Sequence, residues 1–406
     1  MKSIYLDCAA ATHIDPRVFK KMLPYLTKKF GNPSALYSLG REAKAAIENA
    51  RKDVAGILDA NPEEIIFTGS GTESDNLALF GVARAYKKYG KHIIVSKIEH
   101  KAVLEATKKL EKDGFEITYL NVDSKGIIKI SEFKKALRPD TILVSIMYAN
   151  NEIGTIQPIE EISKIIREFR IKNLEFRGEK KPKSYILNPI SFPIFHTDAC
   201  QAANYLSLDI KKLGVDLITL NGSKIYGPKG VGCLYKAEYV KLEPIIVGGG
   251  QENGFRAGTE NTALIVGFAE ALKLAEKLKN KESQRLRDLR DYFIKNLLKS
   301  IPSSRLNGYP VKRLPNNINV SIAGVEGEAL VLMLDKYGIS ASTGSACASL
   351  GALSSHVLAA IGVQSELARG SLRLTIGRRT TKSDIDYVLK ILLNIVKKLR
   401  QDYSII

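Results

Sequence analysis

The sequence predicts an α/β protein in which a mostly parallel sheet is followed by a smaller α+β unit. Helical and strand-like patterns alternate between residues 41 and about 236, as they do in consecutive βαβ units. Residues 141–147 form an apolar run rich in β-branched side chains, which is typical of a strand buried on both faces. After three glycines at 248–250 the alternation ends and a long charged amphipathic helix follows.

The elements of the first unit follow from the spacing of apolar residues along the chain. Apolar residues at intervals of three and four predict helices, and short apolar runs between them predict strands. The predicted helices are residues 41–58, 72–89, 101–113 and 159–170, and the predicted strands are residues 65–68, 92–96, 116–120, 141–147, 194–197, 216–220 and 231–235.

The second unit is predicted from the same patterns. Its helices are residues 262–299, 326–337 and 382–400, and its strands are residues 317–322 and 371–376. We expect a large domain of residues 13–262 and a small domain of residues 1–12 and 263–406, linked by the long helix.

Residues 171–193 are unusual because they carry three prolines and a basic cluster between a helix and a strand, where connections of about 2–6 residues are usual. The segment joins a helix end to a strand start, so it is expected at the amino ends of the strands. We interpret it as a partner or oligomer surface whose shortening leaves catalysis intact.

The composition excludes several classes of protein. Of 406 residues, 45% are apolar and 26% are charged, which excludes a disordered chain and a disulfide scaffold. No apolar stretch is long enough to span a membrane, and the first residues lack the apolar core of a signal peptide, so we expect a cytoplasmic protein. The four cysteines, Cys8, Cys200, Cys233 and Cys347, do not have the spacing of a stable metal site.

The formal net charge of +18 leaves a different class of function open, a nucleic-acid-binding protein. That interpretation is disfavoured because the basic residues are spread over most helices and no nucleic-acid motif is present. A secondary contact with tRNA is left open.

Polar residues that could take part in catalysis or ligand binding follow several predicted strands. Lys224 lies in a glycine-rich turn after residues 216–220, at the strand end where α/β proteins bind ligands. A lysine there can form a Schiff base with a carbonyl compound, although a solvated lysine in a turn has the same local sequence. Gly71 and Thr72 begin a helix after residues 65–68, an arrangement suited to a phosphate but also to an ordinary helix start.

Four further residues occupy comparable positions. Asp198 directly follows the predicted strand of residues 194–197, with Gln201 three residues later, while His100 and Asn151 come after two other predicted strands. A carboxylate such as Asp198 could keep the pyridine nitrogen of pyridoxal phosphate (PLP) protonated.

Together these segments resemble the cysteine desulfurases, PLP enzymes of the class-V aminotransferase family. The resemblance runs over nearly the whole chain and is carried by residues 5–7, 30–34, 99–103, 149–154, 196–201, 224–230, 248–252, 256–261 and 342–347. It implies the PLP-dependent transferase fold type I, the fold of aspartate aminotransferase. It also implies a homodimer that takes sulfur from L-cysteine and passes it, as a persulfide, to an acceptor or iron–sulfur scaffold protein.

The resemblance also implies a role for each site residue. Lys224 would form the Schiff base and move protons, and Cys347, in a segment of small residues, would be the nucleophile and a transient iron–sulfur ligand. The other cofactor-binding residues implied are Gly71, Thr72, His100 (also catalytic), Asn151, Asp198, Gln201, Asn221, Ser223 and, from the neighbouring subunit, Thr259; Asn151 and Arg373 would bind the substrate carboxylate.

Two positions depart from the family pattern. Asn221 and Ser223 stand where a serine and a histidine commonly help to hold the phosphate; both can still donate hydrogen bonds, so we expect PLP to bind. The alternatives nearest in chemistry are a selenocysteine lyase and a class-V enzyme that acts on cysteine sulfinate.

Overall fold

The computed structural model describes residues 3–176, 192–343 and 355–403. Its strands are β1 (Ile4–Tyr5), β2 (Ile65–Thr68), β3 (His92–Ser96), β4 (Glu116–Leu120), β5 (Thr141–Ser145), β6 (Ile194–Asp198), β7 (Leu217–Asn221), β8 (Gly232–Lys236), β9 (Ser304–Leu306), β10 (Asn317–Ile322), β11 (Ile339–Ser340) and β12 (Ser371–Thr375). Its helices are α1 (Pro16–Thr27), α2 (Ser38–Leu58), α3 (Gly71–Tyr86), α4 (Lys101–Lys112), α5 (Ile130–Ala136), α6 (Ile159–Phe176), α7 (Ile210–Leu213), α8 (Thr262–Ser300), α9 (Gly327–Asp335), α10 (His356–Ala360), α11 (Ser365–Arg369) and α12 (Lys382–Tyr403).

Seven strands of the described chain form the central sheet, in the order β2-β8-β7-β6-β5-β3-β4. All neighbours are parallel except β8, which is antiparallel to both β2 and β7. The connection from β7 to β8 is too short for the crossover that a parallel pair needs. The predicted α/β class and mostly parallel sheet are confirmed, and the carboxyl ends of β3, β5, β6 and β7 meet at one edge.

The sheet is buried because helices cover it. Every residue of β3, β5 and β6 is buried, in agreement with the apolar runs that predicted these strands. Helix α3 contacts β5, β7 and β8, and α2 packs against the long helix α8. The apolar residues of these elements form one continuous core.

A second apolar core lies between a three-stranded sheet, of order β12-β10-β9, and helices α8, α9 and α12. The N-terminal strand β1 joins this core by pairing in parallel with β11. The predicted domain boundaries stay a prediction. The apolar residues of α10 and α11 pack on the first core although they follow β11 in the chain.

Several elements were missed by the sequence analysis. The two-residue strands β1 and β11 are too short for a periodic pattern, and α1 begins at a proline capped by Asp15, whose carboxylate accepts a hydrogen bond from the Arg17 backbone. Helix α6 extends six residues beyond its predicted end, to Phe176; residues 177–191 of the unusual segment lie outside the described residues. Among the described helices, none is both long and apolar enough to cross a bilayer.

Candidate active site

A cavity of about 250 Å³ opens at the carboxyl edge of the central sheet. Its walls come from the segments that follow β2, β3, β5, β6 and β7, and from Arg373 in β12 of the second sheet. Nine of the residues that the sequence predicted for a site line it: Gly71, Thr72, His100, Asn151, Asp198, Gln201, Asn221, Lys224 and Arg373. Parallel strands that end at one edge therefore bring distant parts of the sequence together.

Lys224 ends a single 3₁₀ turn directly after β7. Its Nζ donates a hydrogen bond to the carbonyl oxygen of Ala10, a residue of the N-terminal segment. Burial lowers the pKa of Lys224, and the nearby Arg373 guanidinium lowers it further. A lysine with a lowered pKa is more often in the neutral form that attacks a carbonyl carbon.

Asp198 is the last residue of β6 and is only 7% exposed. Its Oδ1 accepts a hydrogen bond of 2.9 Å from the Cys200 backbone N–H. Gln201, three residues later, donates from Nε2 to the Ala9 carbonyl at 3.0 Å. The carboxylate and the Lys224 amine thus face one cavity from neighbouring strands.

A second buried carboxyl, Asp75, lines the same cavity and was not predicted. Burial raises its pKa well above the ordinary value, and the negative charge of Asp198 adds to that effect. Its Oδ1 has no hydrogen-bond partner among the described residues and lies 3.7 Å from His196 Nε2. The signal that could have found Asp75 is its position on α3, one turn after Gly71 and on the inward face of the helix.

His100 caps the N-terminus of α4. Its Nδ1 accepts a hydrogen bond of 3.1 Å from the Ala102 backbone N–H, so the proton of the neutral ring is assigned to Nε2. Burial lowers the pKa of His100, although the charge of Asp198 opposes this shift. Any proton exchange by this ring therefore runs through Nε2.

The turn between β2 and α3 has the form of an anion cradle. Ser70 Oγ accepts a hydrogen bond of 3.1 Å from the Glu73 N–H and caps the 16-residue helix. A side chain at Gly71 would place its Cβ 2.8 Å from the Cys200 sulfur and 3.3 Å from the Asn221 Cβ. Only glycine lets the helix start lie this close to the cavity, where its backbone N–H groups favour a phosphate.

Ser223 and Thr259 stand apart from the other predicted site residues. Ser223 donates from both its N–H and its hydroxyl to Asn221 Oδ1, each at 3.0 Å, and it does not line the cavity. Thr259 lies in a different cavity, beside Arg256 and Gly69. Of Asn221, Ser223 and Thr259, only Asn221 lines the candidate site of its own chain, among the described residues.

Arg373 enters the cavity from the second sheet and is 3% exposed. Its Nη2 donates to Asp7 Oδ1 at 2.9 Å and its Nη1 donates to the Asn151 carbonyl at 3.2 Å. Its buried Nε has no hydrogen-bond partner among the described residues. A guanidinium held in this way can donate hydrogen bonds to a ligand carboxylate.

Cys347 lies outside the described residues, but both described flanks of its segment are attached to residues that line the cavity. Ser342 pairs with Arg373 through two backbone hydrogen bonds, of 2.7 and 3.2 Å. On the other side, the Ser355 hydroxyl donates to the Glu152 carboxylate, and His356 lines the cavity. The chain segment that contains Cys347 therefore begins and ends beside residues that line the candidate site.

The three described cysteines, Cys8, Cys200 and Cys233, are buried and form no disulfide. Burial raises the pKa of Cys8 to about 12 and raises that of Cys200 well above its ordinary value. Buried thiols of this kind are poor nucleophiles because the thiolate is scarce. Nor do the described residues contain a cluster of His, Cys, Asp or Glu suited to a metal ion.

Glu99, the residue before His100 in the chain, is fully buried and leads to a prediction about stability. Burial raises its pKa to about 8, although Ser96 and the Met147 N–H donate hydrogen bonds to it. A carboxyl whose pKa is raised by folding contributes stability that is complete below its ordinary value of 4.5 and lost as the pH rises toward 8.

We therefore expect the free energy of unfolding, measured in urea, to fall less between about pH 5 and pH 8.5 for Glu99→Gln than for the wild type. The glutamine keeps the hydrogen bonds but has no carboxyl group to ionise. Glu63→Gln, which removes an exposed carboxyl, is the matched control and should leave the profile unchanged. Parallel profiles for wild type and Glu99→Gln would contradict the prediction.

The sequence matches the aminotransferase class-V family over residues 4–173 and 192–388. It is 50% identical to a protein of Dictyoglomus turgidum named cysteine desulfurase IscS, over 98% of this chain and 96% of the relative. A protein of the same name from Methanosarcina thermophila is 48% identical over 98% of this chain and 93% of the relative. A solved structure described as a NifS-like protein superposes with a TM-score of 0.87 at 35% identity, covering 98% of this chain and 100% of that one.

Proposed function

Since the chain belongs to the class-V aminotransferase family, we propose that it is a cysteine desulfurase. The enzyme would convert L-cysteine to L-alanine and hold the released sulfur as a persulfide on Cys347, for delivery to an acceptor in iron–sulfur cluster or thio-cofactor assembly. The observation that carries this proposal is the attachment of both flanks of the Cys347 segment at the cavity that contains Lys224. A simple aminotransferase needs no nucleophilic cysteine in a segment attached there.

The residues of the cavity fit pyridoxal phosphate. The glycine at position 71 leaves room for a phosphate at the start of α3, Asp198 offers a buried carboxylate to a pyridine nitrogen, and Lys224 offers an amine to the aldehyde. Gln201 and Asn221 line the same space. When bound, the cofactor supplies an electron sink that weakens bonds at the substrate's Cα and Cβ.

The chain's own residues would bind and orient the substrate. Arg373 and Asn151 hold the α-carboxylate, which places Cα beside the Lys224 amine. The lowered pKa of Lys224 suits it to take the Cα proton and return it. His100 lines the same cavity and exchanges protons only through Nε2, because Nδ1 accepts a hydrogen bond from the Ala102 N–H.

Sulfur transfer then takes place at Cys347. Its thiolate forms a bond with the substrate sulfur as the Cβ–S bond breaks, and the electron pair of that bond stays on Cβ. Protonation of Cβ gives the methyl group of alanine, and Cys347 retains the sulfur as a persulfide. The reaction is balanced without any added oxidant or reductant.

The proposal includes a homodimer. Helix α1 and the loop after it expose several large apolar side chains, including Phe30 at 73% and Leu36 at 88% exposure, which are costly to leave in water. Thr259 lies outside the cavity of its own chain, as expected of a residue that serves the site of a neighbouring subunit.

The test is mass spectrometry of the purified protein after reaction with cysteine in the presence of PLP. We expect the mass of one added sulfur atom on the peptide that contains Cys347, together with released alanine. The same measurement on Cys200→Ala, which removes the thiol of the cavity wall, should give the same adduct on Cys347. An adduct on the Cys200 peptide of the wild type instead would overturn the assignment of the nucleophile.

A further inference from the structure

A second cavity, of about 500 Å³, lies on the other side of the N-terminal segment from the candidate active site. Residues 8–12 separate the two: Ala9 and Ala10 line the active-site cavity, and Cys8, Ala11 and Thr12 line the second one. The opposite wall of the second cavity is the turn of residues 377–380, which follows β12. None of the proposed catalytic steps uses this space.

The walls of the second cavity are fixed by specific contacts. The Tyr226 ring is 2% exposed and forms the floor, with the Arg378 guanidinium 4.0 Å from its centre and the His13 ring edge-on at 5.2 Å. Arg285 donates from Nη1 to the Thr380 carbonyl at 2.8 Å and from Nη2 to the Gly377 carbonyl at 3.1 Å, which clamps the turn. The cavity is therefore formed before any ligand arrives.

The charges that line this cavity are mostly positive. Lys229, Arg378 and Arg379 face one carboxylate, Asp384, which accepts hydrogen bonds from Thr381. Arg378 has an ion-pair partner in Asp15, at 3.2 Å.

Lys229 and Arg379 differ from Arg378 in this respect. They are exposed at the rim and form no ion pair with a residue in the described ranges. Burial lowers the pKa of His13, and the charges of Arg379 and Arg378 lower it further, although the Asp15 carboxylate opposes them. A preformed concave site with two uncompensated cations attracts anions.

We propose that this cavity binds a small organic polyanion through Arg379 and Lys229. Its volume lies within the range of about 300–1,000 Å³ that is usual for small-molecule sites, and it is larger than one inorganic phosphate needs. A guanidinium matches the paired oxygens of a phosphate or a carboxylate, and a lysine adds a mobile positive charge. The ligand class is therefore a compound with two or more phosphate or carboxylate groups.

The proposal is tested by calorimetric titration of the PLP-loaded protein with pyrophosphate and, separately, with citrate, at constant ionic strength. Loading fills the phosphate cradle at Gly71, so that it does not compete for the probe. We expect saturable binding of at least one probe by the wild type. The double variant Lys229→Gln/Arg379→Gln should weaken that binding by at least about tenfold, the order expected when charge-assisted hydrogen bonds are lost.

The matched control is Lys390→Gln/Lys397→Gln, which removes the same charge from exposed positions on α12 and should leave binding unchanged. The probe that binds identifies phosphate or carboxylate as the recognised group. Failure of both probes to bind the wild type, or equal binding by the wild type and the Lys229/Arg379 variant, would overturn the proposal. Neither result depends on cysteine turnover, so this site and the desulfurase function can fail separately.

Discussion

Replacement of Lys224 by alanine is expected to reduce alanine release from cysteine by about 10⁴-fold, the upper end of what a positioned proton-transfer group contributes. The physical reason is that Lys224 follows β7, next to the strand that ends at Asp198, whereas the other described lysine that lines the cavity, Lys101, is the first residue of α4, after β3. The variant would still hold PLP through Asp198 and the cradle at Gly71, but without a covalent bond. Borohydride treatment followed by mass spectrometry should therefore fix the cofactor to the wild-type protein and leave Lys224→Ala unlabelled.

The matched control is Lys241→Ala, an exposed lysine of the large unit that lies outside the cavity. It should keep both turnover and covalent labelling. The same experiment tests whether Asn221 and Ser223 suffice at the positions where the family commonly has serine and histidine. Absence of labelling in the wild type would contradict the assignment of PLP, and retained labelling in Lys224→Ala would contradict the assignment of the lysine.

Cys347→Ala is expected to separate three reactions that share the same cavity. Desulfuration of cysteine should fall by at least about 10³-fold, since a nucleophile that forms a covalent intermediate has no substitute in alanine. Turnover of selenocysteine and of cysteine sulfinate should change little, because those leaving groups depart without attack by a thiolate. Rates of alanine release on the three substrates, measured on the same protein preparation, give the comparison.

Cys233→Ala is the control for Cys347→Ala, because it removes a thiol that is fully buried in β8, away from the cavity. It should lose some stability and keep all three activities. Undiminished cysteine turnover by Cys347→Ala would show that the thiol is dispensable. That outcome would favour the selenocysteine lyase or the sulfinate-acting enzyme over the desulfurase.

The central sheet and much of the candidate site could be predicted from the sequence because both depend on local patterns. Parallel strands buried on two faces leave continuous apolar runs, and the polar residue that ends each run must lie at one edge of the sheet. Asp198, His100 and Lys224 were found in this way. Arg373 was found only through the family resemblance, since nothing near it in the sequence indicates that it meets Asp7, 366 residues away.

Other features depend on tertiary contacts that no local pattern encodes. The orientation of β8 depends on which strand it pairs with, and the pairing of β1 with β11 joins two residues on each side. The buried carboxyls Asp75 and Glu99 resemble ordinary helix and loop residues until the packing around them is known. Ser223 has the right chemistry for a phosphate, but Asn221 already accepts its hydroxyl hydrogen bond.

The N-terminal segment has a consequence for the order in which the protein matures on the ribosome. The Ala9 N–H donates a hydrogen bond to Thr375 Oγ1 at 2.9 Å, so the segment that accepts the Lys224 hydrogen bond is itself held by a residue 366 positions later in the chain. At synthesis rates of roughly 5–20 residues per second, the 366 residues between them take about 20–70 s to make. The strands of the central sheet, the last of which ends at Lys236, are all synthesised within that interval, whereas the candidate cavity acquires its last wall only after Arg373 and Thr375 have been made.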